Sequence, residues 1–174
     1  IDYFCGLYIN DKNLRQKYIE DAINLVGLED FKKFYPKQLS GGLLRRLNIA
    51  CGIAHKPKLI FLDEPTVAVD PQSRNNILDG IKKLRDNGAT IIYTTHYMEE
   101  VVDADYVYVM DKGHVVMQGT PREIFSQVGT LKEHRLDVPQ ITLLADLLRQ
   151  SGLDIPLGVL TREELVDAIM KTAG

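Results

Sequence analysis

Residues 59–65 read Leu-Ile-Phe-Leu-Asp-Glu-Pro, an apolar run that ends abruptly in two carboxylates and a proline. Such a run is typical of a buried strand in a parallel sheet. Asp70 and Pro71 then predict the start of a helix, because aspartate caps helices well and proline is tolerated at the first helical position. A second β-rich run at 89–95 completes a right-handed strand–helix–strand unit.

The two predicted strands should bring polar residues to one edge of the sheet. Asp63 and Glu64 end the first strand, and His96 ends the second. Ligands of α/β folds bind at this carboxyl edge. One carboxylate could hold Mg²⁺ there while the other polarises a water for attack on a phosphate. These residues could instead have structural roles only. The carboxylates would then lie in a solvated turn, and His96 would be a hydrogen-bonded histidine of the core.

A glycine-rich helix start lies upstream of the first strand. Leu39-Ser40-Gly41-Gly42 predicts a helix that is capped by the Ser40 hydroxyl and runs to about residue 55. Exposed backbone N–H groups at the positive end of the helix dipole form an anion site, and absent Cβ atoms allow a phosphate to approach. An ordinary cap and turn is the alternative for so short a motif. An earlier helix is predicted at 11–26, with Leu14 and Ala22 among its inward residues.

The remainder of the chain predicts a hairpin and short helices. Strands at 106–110 and 115–118 flank a turn, and capping boxes at 120–123 and 161–164 open helices. A helix at 140–150 is predicted with Ile141, Leu144 and Leu148 inward. We therefore expect a helical subdomain at 1–56, the C-terminal part of an α/β core at 57–128 and a helical appendage at 129–174.

Composition limits the class of protein. The 174 residues are 45% apolar with a net charge of −3, so one core can form and no nucleic-acid footprint is expected. Cys5 and Cys51 lack metal-site spacing and are interpreted as reduced thiols of a cytosolic protein. No apolar stretch reaches the roughly 18 residues that span a bilayer. The chain begins at Ile1 in what resembles a domain interior, and we expect that upstream sequence is missing.

Taken together, residues 39–42, 59–65, 67–70 and His96 strongly resemble ABC transporter ATPases. These segments look like the signature motif, the Walker B strand with its catalytic glutamate, the D-loop and the switch histidine. The resemblance implies part of a P-loop NTPase fold, a RecA-like parallel sheet with the ABC helical subdomain. It also implies ATP and Mg²⁺ as cofactors.

The resemblance implies a role for each matching residue. Residues 40–42 would contact the γ-phosphate of ATP bound to the opposite subunit, and Asp70 would communicate across the dimer. Asp63 would serve Mg²⁺, Glu64 would be the general base and His96 would sense the γ-phosphate. The implied partners are a second ATPase subunit, identical or paralogous, and a transmembrane permease that binds around residues 3–38. The implied location is the cytoplasmic face of the membrane.

The sequence departs from this family pattern in the motifs that hold ATP. It contains no G-x-x-x-x-G-K-[ST] motif and no Gln loop, so the chain as printed is expected neither to bind nor to hydrolyse ATP appreciably by itself. Leu43 stands where the signature usually has glutamine. Val67-Ala68-Val69-Asp70 replaces the commoner Ser-Ala-Leu-Asp, and neither change is interpreted as inactivating.

Two subfamily resemblances coexist in the chain. Residues 44–52, 69–74 and 93–100 look like the ATPases of ABC-2-type exporters, whereas from about Asp111 onward the sequence is similar to energy-coupling factor (ECF) transporter ATPases. A recombined, engineered or misassembled gene and a divergent ECF-like subunit both remain open. Two further hypotheses are a soluble ABC-type ATPase acting in DNA repair or translation, and a non-hydrolytic remnant that keeps the fold for interaction.

Overall fold

A computed structural model describes residues 1–172 of the chain, which divides into two compact units. The first unit spans Ile1–Thr95 and the second begins at His96. In the first unit the elements are α1 (Asp2–Gly6), α2 (Lys12–Leu25), 3₁₀ turns at Glu29–Phe31 and Pro36–Gln38, α3 (Gly41–Ile53), β1 (Leu59–Asp63), α4 (Pro71–Asp86) and β2 (Thr90–Thr94). The predicted order of helices and strands is confirmed.

Polar side chains cap the longer helices of the first unit, and the predicted caps by Ser40 and Asp70 are confirmed. Asp11, Ser40 and Asp70 accept hydrogen bonds from the backbone N–H groups of Leu14, Leu43 and Ser73, three residues further along. Each bond satisfies one of the N–H groups that a helix start leaves without an intrahelical partner. The starts of α2, α3 and α4 are therefore determined by local chemistry.

The inner face of α2 differs in part from the prediction. Ile19, Ala22 and Ile23 are buried in the core of the first unit, whereas Leu14 is exposed. The inward position of Leu14 was wrong because α2 packs against both α1 and α3, and those contacts turn the face with Ile19 and Ile23 inward.

β1 and β2 pair in parallel, which confirms the predicted strand–helix–strand unit. The prediction of a buried first strand was wrong, because burial alternates along it. Ile60 packs into the core, whereas Phe61 is 69% exposed and its cross-strand partner Ile92 is 51% exposed. Side chains alternate between the two faces of a sheet, and the helices of this unit cover one face of the pair. Asp63 lies on the same face as Phe61.

The second unit is built from α5 (Met98–Val101), β3 (Val107–Asp111), β4 (His114–Gly119), α6 (Pro121–Phe125), α7 (Val128–Glu133), α8 (Gln140–Gln150) and α9 (Arg162–Thr172). β3 and β4 form the predicted antiparallel hairpin. The predicted capping box at the start of α6 is confirmed, with bonds in both directions between Thr120 and Glu123. One core of this unit centres on Ile124, Phe125 and Leu131.

Hydrogen bonds of two buried polar side chains fix which face of α8 packs inward. Thr142 and Asp146 are buried, and the Thr142 hydroxyl donates to the Val159 carbonyl at 2.7 Å. Asp146 accepts hydrogen bonds from Arg149 and Gln150. Because these bonds satisfy the polar residues, α8 can turn them inward, and Leu144 is exposed instead of inward as predicted.

Two general predictions concern the whole chain. Within residues 1–172, no helix is both long enough and apolar enough to cross a bilayer. The division into 1–56, 57–128 and 129–174 stays a prediction, and residues 173–174 of its last part lie outside the described residues.

Candidate functional site

The start of α3 has the geometry of an anion site at a helix N-terminus. Ser40 has extended backbone angles (φ −65°, ψ 165°), and its Oγ accepts from the Leu43 N–H at 3.3 Å. Ser40 and Gly41 are exposed. The remaining N–H groups of the first turn point along the helix axis at the positive end of the dipole, where a phosphate is stabilised. This arrangement supports the predicted phosphate contact of residues 40–42, which stays a prediction.

Glycine serves a different purpose at each of the two positions in this segment. A Cβ on Gly41 would meet nothing within 4 Å, so this position leaves the surface open to a ligand. A Cβ on Gly42 would lie 2.9 Å from the Ser73 Cβ and 3.0 Å from the Asp70 Oδ2. Gly42 therefore lets the start of α3 pack against the start of α4. Sequence reasoning assigned both glycines to phosphate approach and missed this contact.

Asp70 lies at that contact between two helix starts. Its Oδ1 accepts from the Ser73 N–H at 2.9 Å. This backbone bond, together with a bond from the Ser73 side chain, holds the pKa of Asp70 below its ordinary value. The carboxylate is therefore ionised at neutral pH, next to the positive ends of α3 and α4. Its predicted role in communication between subunits stays a prediction.

Thr94 joins the two carboxylate residues at the end of β1. Asp63 is the cross-strand partner of Thr94, whose hydroxyl donates to the Asp63 Oδ1 at 2.6 Å. The Thr94 Oγ1 also accepts from the Glu64 N–H at 3.0 Å. Sequence reasoning did not single out Thr94. Thr94 could have been found from the parallel register, because that register pairs the last residue of β1 with the last residue of β2.

Glu64 does not continue the strand. β1 ends at Asp63, and Glu64 has a positive φ of 43°. The direction of the Glu64 side chain is therefore set by a backbone turn and not by a continuation of the strand. Arg45 of α3 donates hydrogen bonds to the carbonyl oxygens of Asp63, Glu64 and Pro65 in this turn. Arg45 is a second residue that the sequence did not reveal.

His96 follows β2 and opens the second compact unit, where it is exposed. Its role as a phosphate sensor stays a prediction. The sequence assigns no functional role to the other histidines. Among them, the His134 Nδ1 lies 3.1 Å from the Asp111 Oδ2, and the His55 ring stacks on Tyr8 with centroids 4.0 Å apart.

The residues at the end of β1 fit a magnesium ion of the nucleotide-bound type. Among residues 1–172, no cluster of three or more metal-binding side chains forms. Mg²⁺ in phosphate-transfer sites uses one or two carboxylates and completes its shell with phosphate and water oxygens. Asp63 is exposed at the sheet edge and is oriented by Thr94, which suits that mode of binding.

Known proteins similar to this chain are ABC transporter components. A family model described as ABC transporter matches residues 6–67. The chain is 51% identical over 157 residues to the energy-coupling factor transporter ATP-binding protein EcfA1 of Caldanaerobacter subterraneus subsp. tengcongensis, a match that covers 90% of this chain and 57% of that protein. The chain thus spans a little more than half the length of this relative.

Solved structures show the same similarity. CbiO1 from Clostridium perfringens, described as part of the ABC transporter complex cbiONQ, aligns with a TM-score of 0.60 and 32% identity over 75% of this chain and 53% of that one. The ATP-binding cassette MJ0796, a dimer bound to ADP and Pi, aligns with a TM-score of 0.56 and 28% identity over 63% and 48% of the two chains.

The similarity to EcfA1 bears on both subfamily resemblances. The match to EcfA1 extends over 157 residues and so includes residues on both sides of Asp111. A match of this length favours an ECF-type relationship for the front part of the chain as well as for its tail. A recombined gene is not needed to explain the sequence.

Alanine substitutions should distinguish the two glycines. Gly42→Ala should destabilise the chain by about 1–3 kcal/mol, because the added methyl group meets Ser73 and Asp70 in a close-packed contact. Gly41→Ala should be neutral or slightly stabilising, because alanine is the better helix former and the site is open. Urea denaturation measures both. Equal effects of the two substitutions would show that α3 and α4 do not pack as described.

The ionised cap of α4 should give an acid-dependent contribution to stability. The folded pKa of Asp70 lies below its ordinary value of 3.8, so its stabilising effect is present above that value and is lost as pH falls through the folded pKa. Asp70→Asn retains a capping oxygen without a titrating charge. The melting temperature of the unsubstituted chain should therefore exceed that of Asp70→Asn at pH 7, and the difference should shrink as pH falls towards 2.

Other acidic groups, including Glu123 and Glu164, titrate alike in both proteins and cancel from this comparison. A difference in melting temperature that is constant from pH 7 to pH 2 would contradict the assigned ionisation of Asp70.

Proposed function

We propose that the chain, which is similar to ABC transporter ATPases, is part of the ATP-hydrolysing subunit of an ECF-type transporter. The observation that carries this proposal is the carboxyl edge of β1 and β2, where the Thr94 hydroxyl orients the Asp63 carboxylate and accepts a hydrogen bond from the Glu64 N–H. A phosphate-binding helix start belongs to the same compact unit. These are two of the parts that hydrolysis of a nucleoside triphosphate requires, and the P-loop is a further one that this chain does not contain.

Glu64 would act as the general base. Its carboxylate accepts a proton from a water as the oxygen of that water bonds to the γ-phosphorus, and the bond from phosphorus to the bridging oxygen of ADP breaks in line. Asp63 would hold Mg²⁺ together with the phosphates. The ion, when bound, neutralises negative charge on the phosphate oxygens. His96 would donate a hydrogen bond to the γ-phosphate.

The helix start of α3 would serve the ATP bound to another subunit. In this arrangement Ser40, Gly41 and Gly42 contact the γ-phosphate across a head-to-tail dimer, and Asp70 lies at the base of the same contact. The exposed position of Ser40 and Gly41 and the open space around Gly41 support a partner-facing role. The second subunit is another ABC-type ATPase, identical or paralogous.

An exposed aromatic surface supports the proposed docking of a permease. Four large apolar or aromatic side chains of the segment 3–38 are each more than 60% exposed: Tyr3, Leu7, Tyr8 and Tyr35. Phe34, in the same segment, is 50% exposed. Tyrosine and phenylalanine are enriched at protein interfaces. We assign this segment, residues 3–38, to contacts with a transmembrane permease. The subunit would then work as a peripheral protein on the cytoplasmic face of the membrane.

The role of Glu64 can be tested in an extended ATPase, defined as this chain joined to the part of the Caldanaerobacter relative that the alignment leaves uncovered. Glu64→Gln should lower the rate of ATP hydrolysis by about 10²–10⁴-fold, because an amide cannot accept the proton from water. Binding of MgATP should persist. Glu163→Gln, an exposed change in α9, is the matched control and should leave the rate unaltered.

Phosphate release from MgATP measures the rate, and calorimetry measures ATP binding. Hydrolysis by Glu64→Gln near the rate of the unsubstituted protein would remove Glu64 from the mechanism.

A further inference from the structure

Arg45 makes an unusual set of contacts with the end of β1. From α3, its Nη2 donates to the carbonyl oxygens of Asp63 at 2.8 Å and Glu64 at 2.7 Å, and its Nε donates to that of Pro65 at 3.3 Å. The three acceptors are consecutive. A guanidinium group can bond them together because its donors lie in one rigid plane, whereas an ammonium group offers a single point of charge.

These bonds hold a backbone conformation that glutamate rarely adopts. Glu64 has a positive φ of 43°, in the left-handed region that residues with a side chain seldom occupy. The Glu64 carbonyl also accepts from the Val67 N–H at 3.2 Å, which closes the turn. Arg45 therefore bonds to both peptide groups that flank Glu64, and the direction of the Glu64 side chain follows from that backbone.

Arg45 lies on the helix that begins at the proposed phosphate contact. α3 spans Gly41–Ile53 and is capped by Ser40, so Arg45 is little more than one turn from the helix start. Backbone hydrogen bonds join each turn of an α-helix to the next. A displacement of its first turn is therefore transmitted to the Arg45 guanidinium and from there to the backbone of residues 63–65.

We infer that Arg45 is a positioning residue for Glu64, through which α3 links the phosphate contact at its own start to the carboxylate at the end of β1. This inference rests on the proposed function, in which Glu64 is the general base and Ser40 contacts the ATP of the opposite subunit. In such a dimer, the start of α3 contacts the ATP bound to the opposite subunit. Through Arg45, the same helix then affects the position of Glu64 in its own subunit.

The structural part of this inference can be tested on the 174-residue chain itself by amide hydrogen exchange. In Arg45→Gln, the Glu64 and Val67 amides should exchange about tenfold faster, because Arg45 no longer holds the backbone of residues 63–65 on which the bonds of both amides depend. Arg45→Lys should restore only part of the protection. Arg162→Gln removes a guanidinium from the start of α9 and should leave both amides unchanged. Unaltered exchange in the buried part of α2 shows that each variant is folded.

The kinetic part uses the extended ATPase. Arg45→Gln should lower kcat about tenfold while KM for MgATP changes less than twofold, because the ATP grip is intact and only the base is displaced. Arg45→Lys should recover part of kcat. A role in folding alone would lower the amount of active enzyme without this recovery and without faster local exchange.

Unaltered exchange of the Glu64 and Val67 amides in Arg45→Gln would overturn the inference, and so would an unaltered kcat alongside faster exchange. Failure of the proposed function has a different signature, since Glu64→Gln would then retain activity whatever Arg45 does to the exchange rates.

Discussion

The hydroxyl of Thr94 joins the ends of the two parallel strands, and the geometry of the site depends on it. A hydroxyl is both a donor and an acceptor, so one group can orient the Asp63 carboxylate and hold the Glu64 N–H. Both bonds require the register in which Asp63 faces Thr94. A slip of one residue would move Thr94 to the other face of the pair and separate it from Asp63. The pairing of β1 with β2 thus determines where the carboxylates lie.

Near this edge of the sheet, α3 makes two different contacts. Because both lie on one helix, their positions are coupled. Gly42 allows its first turn to approach α4 at Ser73, and Arg45 bonds its second turn to the backbone at the end of β1. Arg46, the next residue, is buried and donates to the carbonyl oxygens of Val26 and Gly27, which ties the same helix to the end of α2. The start of α3 is therefore held from several sides while Gly41 is open to a ligand.

Much of this could be predicted because it follows from local chemistry. Ser40 and Asp70 cap helices wherever they precede a helical pattern, and the parallel pairing follows from the strand–helix–strand order. Arg45 could not be assigned, because its acceptors are backbone carbonyls 18 to 20 residues away that no side chain marks in the sequence. The packing reason for Gly42 depends on Ser73 in another helix. Leu144 was misplaced because buried polar groups in α8 found partners that periodicity does not reveal.

The central claim is that the start of α3 and the end of β1 serve two different ATP molecules. Dimers of the extended ATPase with differently tagged subunits test it through the arrangement of two substitutions, Ser40→Arg and Glu64→Gln. With both in one subunit, each ATP site carries one defect, and hydrolysis should be lost. With one in each subunit, both defects fall on the same site, and about half of the activity should remain. Equal activity of the two arrangements would contradict the claim.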